Sequence, residues 1–194
     1  MSQCWIRALA FAAAFGAGTV GAAAEDAQVA PIKAYVAEKV LPWLSDPAVI
    51  DALKAQNAKS AALTQPDIDK LDKQWRAEVD APAKPLIDSV LGNSLSAFLK
   101  AKKEESKGLI TEAFVTDDKG LNVGQSDVTS DYWQGDEAKW QKSFMVGPDA
   151  VFVDAIEKDE STQTLQSQVS VSIKDPATGK AIGAVTMGIN VDAL

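Results

Sequence analysis

The chain has 194 residues, with 19 basic and 27 acidic side chains, no histidine and a single cysteine. A net charge of -8 excludes a nucleic-acid or anionic-membrane surface, which needs clustered Lys and Arg. Without histidine there is no Ser-His or Cys-His nucleophile pair and no nitrogen ligand for zinc, so the chain is not expected to be an enzyme.

The N-terminus reads as a secretory signal. Arg7 precedes an apolar run from Ala8 to Val20, and Ala22-Ala23-Ala24 stands before the acidic Glu25-Asp26. Cleavage is expected after Ala24, because the run is shorter than the ~20 residues that span a bilayer. An uncleaved anchor is the other reading. Cys4 lies ahead of the run and leaves with the signal, so no disulfide supports the mature chain. Losing Arg7 takes the net charge from -8 to -9. The expected location is the periplasm.

From Ala27 to about Lys107 the period is helical. Ile32, Tyr35, Val36, Val40 and Leu41 recur at three- and four-residue spacing, and Pro42 should kink or end that first helix. Ser45-Asp46-Pro47 supplies a cap and an early proline for a second helix carrying Val49, Ile50 and Leu53. Thr64-Gln65-Pro66-Asp67 repeats the device ahead of a stripe of Ile68, Leu71, Trp75 and Val79. After Pro82 and Pro85, the residues Leu86, Ile87, Val90, Leu91, Leu95, Phe98 and Leu99 predict one long amphipathic helix.

At Gly108 the pattern changes from helix to strand. Leu109 to Thr116, the turn Asp117-Asp118-Lys119-Gly120 and Leu121 to Ser126 predict a hairpin. Asp136 to Phe144 reads as a short helix, followed by strands at Ala150 to Ile156, Thr162 to Ile173 and Ala181 to Val191. The expected class is α+β, long N-terminal helices followed by a five-stranded antiparallel sheet. The expected division is a signal over 1–24, a helical region over 25–107 and a sheet over 108–194, with the helices packed on it as one domain.

The joints of this pattern resemble those of single-Cache, or PDC-type, extracellular sensor domains, which are PAS-like sheets. Three stretches carry the likeness. They are Phe114-Val115-Thr116-Asp117-Asp118-Lys119-Gly120, Thr129-Ser130-Asp131-Tyr132-Trp133-Gln134-Gly135-Asp136-Glu137 and Gly183-Ala184-Val185-Thr186-Met187-Gly188-Ile189-Asn190-Val191. The resemblance implies a small-molecule sensor whose ligand lies between the sheet and the connection after the second strand. Such domains sit between two membrane helices, and here the last strand runs to Leu194, so a free-standing sensor working through a separate membrane-bound receptor is expected. The resemblance also implies ligand-binding positions at Asp131, Tyr132, Trp133 and Trp140 on the connection. The facing strands add Asp159, Ser161, Thr162 and Gln168.

Aromatic faces backed by a carboxylate suit a cationic or zwitterionic molecule, here an amino acid, an amine or an organic acid. Trp133 and Trp140 each suit a pocket wall or the core equally. Lys139 and Lys142 read as solvated, though either could pair an organic acid. The spacing of Asp127, Asp131, Asp136 and Glu137 does not match a calcium-binding loop, so neither metal nor cofactor is expected. The alternative function is an interaction module that keeps the fold without a ligand and uses its long N-terminal helix for a homodimer.

Overall fold

The computed structural model describes residues 29–158 and 165–194. The signal-like segment and Asp159, Ser161 and Thr162 lie outside the described residues. Helix α1 covers 29–44, with a π-helical turn at Val36–Val40 and α geometry again at Leu41–Leu44. Pro42 lacks an N–H and its ring crowds the preceding turn. The wider turn, in which Leu41 N–H reaches Val36 O, absorbs that misfit, so the helix passes through the proline instead of ending.

Helix α2 (Pro47–Ser60) is capped by Asp46, whose carboxylate accepts from Ala48 N at 2.8 Å. Helix α3 (Gln65–Val79) opens with a capping box between Thr64 and Asp67. The predicted long helix over Leu86 to Leu99 is two helices, α4 (Pro85–Leu91) and α5 (Ser94–Glu105). Asn93 makes the break. Its side chain accepts from Ser96 N at 2.8 Å and donates to Val123 O at 2.8 Å, so it caps α5 and ties it to the sheet. One apolar period runs through both helices, yet they serve different clusters. Ile87 and Val90 join Ile68, Trp75, Leu121 and Tyr132, whereas Leu95 and Leu99 join the main core.

A buried carboxylate supplies the start of α4. Glu78 Oε2 accepts from Leu86 N at 2.8 Å and Ile87 N at 3.0 Å, and Oε1 accepts from Gln74 at 2.7 Å. Burial acts to raise the Glu78 carboxyl, but these three bonds together hold it below its ordinary value.

Strands β1 (Ile110–Thr116), β2 (Asn122–Gln125), β3 (Val151–Lys158), β4 (Leu165–Lys174) and β5 (Ala181–Asn190) form one sheet. Its order is β2-β1-β5-β4-β3 and every pairing is antiparallel. The class is therefore α+β, helices first and a five-stranded antiparallel sheet after. Strand alternation sends Ala113, Val115, Val169, Val171, Val185 and Met187 to one face, where α1, α2 and α5 cover them. The opposite face carries Phe114, Thr186, Ser170 and Phe152 in a single cross-strand row. That face is polar at its centre, and Ser170 and Thr186 share a 2.9 Å hydrogen bond there.

Candidate functional site

The connection from β2 to β3 crosses the polar face. Its one-turn helix α6 (Ala138–Gln141) holds Lys139 Nζ 5.5 Å from the Phe114 ring centre. Lys142, one position past the helix, holds Nζ 4.6 Å from the Phe152 ring. The start of the connection is fastened to the hairpin turn. Leu121 bridges Trp133, Gln134 N donates to Gly120 O at 2.7 Å, and the Trp133 indole donates to Lys119 O at 2.8 Å. Two glycines allow that approach. A Cβ on Gly135 would lie 2.4 Å from Trp133 Nε1, and one on Gly120, at φ +83°, would lie 2.6 Å from Gly135 N.

Helix α3 grips the same segment from the other side. Asp72 Oδ1 accepts from Tyr132 N at 2.9 Å and Trp133 N at 3.1 Å. The Trp75 indole donates to Thr129 O at 2.8 Å, and Trp75 stacks on Tyr132 with ring centres 5.3 Å apart. Arg76 joins Asp72 and Asp131, its Nε 2.7 Å from Asp72 Oδ2 and its Nη2 3.2 Å from Asp131 Oδ2.

Between the connection and the sheet lies a cavity of about 140 Å³, lined by Glu112, Phe114, Gln168 and Lys139 with residues 128–131 and Gln134. Drug-sized ligands occupy about 300 Å³ or more, so this volume suits a smaller molecule. Gln134 is 1% exposed and gives its Nε2 to the Asp131 carboxylate, while its Oε1 meets no donor. Leaving a buried acceptor unpaired costs about 1–3 kcal/mol, and this oxygen presents almost no surface to the cavity. Acceptors dominate the lining, with Lys139 as its cation.

Comparison with known proteins comes down to fold. No family model matches the chain, and no curated protein does. Among solved structures it is similar to the sensor domain of the V. cholerae histidine kinase DctB, at TM-score 0.47 and 10% identity over 89% of this chain and 55% of that one. It is also similar to the sensory domain of the Campylobacter jejuni chemoreceptor Tlp3 with isoleucine bound, at TM-score 0.38 and 14% identity. That match covers 84% of this chain and 62% of Tlp3's, and the complex of the same chemoreceptor with L-valine scores 0.36 at 15% identity over the same shares. The structures it resembles are sensor domains. The chain spans 55% to 62% of their lengths.

Of the sequence-predicted residues, Asp131 and Gln168 reach the cavity together. Tyr132 is buried against Trp75, the Trp133 indole is committed to Lys119 O, and the Trp140 indole donates to Asp117 O at 3.2 Å while stacking on Phe144. Asp159, Ser161 and Thr162 fall outside the described residues. Sequence reasoning passed over Glu112, Gln134 and the α3 pair Asp72 and Arg76. Alternation could have found Glu112, since it shares a strand face with Phe114 and Thr116. Asp72 and Arg76 stand at i,i+4 spacing on α3, but nothing local marks their hold on the connection, because Tyr132, Trp133 and Asp131 are distant in the chain.

Proposed function

We propose that the chain is an exported sensor module that holds a small amine-bearing or zwitterionic molecule beneath the connection and signals through a separate membrane-bound partner. The observation that carries the reading is the cavity itself, acceptor-rich, with the side chains of Glu112, Asp131 and Gln168 on its lining. An ammonium group would meet Glu112 and Asp131, and a ligand carboxylate would meet Lys139. The signal-like N-terminus and the acidic net charge support export as a free protein and attraction of cations. Asp159, Ser161 and Thr162 are proposed to border the ligand from the β3–β4 connection.

A thermal-shift panel of amino acids, amines and small organic acids tests the reading. Hundredfold excess over the dissociation constant should stabilise the native state by about 2.7 kcal/mol. Glu112→Gln and Asp159→Ala should weaken the hits, and Asp118→Asn in the exposed turn should not. A panel with no hit against the wild type would remove the sensing role and leave the interaction module in its place.

A further inference from the structure

Strand β3 ends the sheet on one side, with β4 as its neighbour. The ladder decides which of its backbone groups stay free. Ser172 N donates to Ala150 O at 3.1 Å, one step before the Val151–Val171 pair. Antiparallel pairing alternates, so Phe152 also turns its N–H and C=O to β4, while Val151 and Val153 turn theirs to the open edge. Among the described residues no backbone group meets them there. At Asp154 the open stretch stops. Its Oδ1 accepts from Ala155 N at 2.9 Å, and the register slips between Val153 and Ile156. A bulge and a self-satisfied N–H blunt that half of the edge against further pairing. Val151 and Val153 are left unprotected.

This edge lies in a slot. A cavity of about 310 Å³ is bordered by the five consecutive residues Phe152 to Ile156, with Val29 and Ile32 from α1 and Lys142 from the connection. Successive strand residues point to opposite faces, so a groove bordered by all five runs along the strand's edge, over about 13 Å. One wall is apolar, since Ile32 belongs to the main core. The other wall is Lys142, whose Nζ lies 4.6 Å from the Phe152 ring and makes no ion pair among the described residues. Asp154 shares that face, but its carboxylate turns back onto Ala155 N. An unpaired cation beside free backbone groups selects an acidic strand. A second copy of β3 suits the slot poorly. The antiparallel register that uses both valines sets Phe152 against Phe152 and brings two Lys142 side chains together, and like charges directly opposite repel.

We propose that the open edge of β3 docks an extended segment of another protein, which pairs antiparallel with Val151 and Val153 and sets a carboxylate side chain against Lys142. Main-chain hydrogen bonds hold such a segment, and the side chains on its two faces select it. The docking edge does not depend on the sensing cavity and stands with or without a small ligand.

Fluorescence anisotropy of the whole chain with labelled, end-capped heptapeptides tests the edge. The reference probe alternates valine and threonine around a central glutamate whose two neighbours are valine, and a second probe has lysine at the centre. The glutamate probe should bind tenfold or more tightly than the lysine probe, and Lys142→Glu should reverse that order. Methylating the backbone nitrogens of the two valines beside the glutamate, which face β3, should abolish binding. Methylating the glutamate's own nitrogen, which faces away, should not. Equal binding of the two probes, binding that survives methylation of those valines, or no binding by any probe overturns the docking edge. Sedimentation of the wild type as a dimer that the glutamate probe dissociates would give the edge to a second copy and overturn the partner segment. A thermal-shift panel without hits beside intact probe binding would remove the sensing reading alone.

Discussion

Tyr132 shows how an aromatic in a loop can belong to the core. Burial first, and then the neighbouring Asp117 carboxylate, push its phenol up to about 12, against a hydrogen bond with Gln56 that acts to lower it. The side chain is therefore neutral at any physiological pH and serves as a stacking partner for Trp75, not as a reader of charge. Between pH 10 and about 12 an unfolded chain has lost this proton while the folded chain retains it. The contribution is fully present below the unfolded value and is lost as pH rises through the folded one. Across that window it amounts to about 3 kcal/mol. Urea denaturation at a series of alkaline pH values should show this fall in the wild type, and Tyr132→Phe should lose most of it. Equal slopes in the two proteins would mean that the phenol is solvated.

At the scale of elements, the connection is held as firmly by α3 as by the sheet it covers. Asp72 accepts two successive backbone N–H groups, Tyr132 and Trp133, and also holds Arg76 beside Asp131. Asp72→Ala leaves both N–H groups without their acceptor, which should cost about 2–3 kcal/mol and raise hydrogen exchange at residues 129–134. Asp72→Asn keeps an acceptor oxygen and should cost less than half of that, as read from paired denaturant melts. Equal losses in the two variants would assign the effect to charge instead of to the backbone bonds. Much of this level was legible in the sequence. The caps at Asp46 and Thr64, the hairpin turn at Asp117 to Gly120 and the strand alternation all act within a few residues, and the chain displays them. The break at Asn93 was hidden because apolar spacing continued through it, although the two helices turn to different cores.

At the scale of the whole molecule, the site lies against two hydrophobic clusters of unequal extent. The main one joins α1, α2 and α5 to four strands, while the smaller gathers α3, α4 and the connection around Trp75, Leu121 and Tyr132. A pocket between a sheet and its longest connection could be expected from the sequence. The residues that shape it could not, because Arg76 and Trp75 meet Asp131 and Thr129 only through the fold. The unequal clusters have a dynamic consequence. Fewer buried apolar contacts give a lower free energy of local opening, so α3 and residues 129–134 should exchange amide hydrogens by an opening less costly than that of β4 and β5. A ligand that bridges the connection and the sheet binds only the closed arrangement. It should raise the protection of both segments together, up to the limit set by global unfolding. Native-state exchange with and without a compound from the thermal-shift panel reads this directly. Uniform protection in the free protein, or ligand-induced protection confined to the connection, would show that α3 and the pocket are not one opening unit.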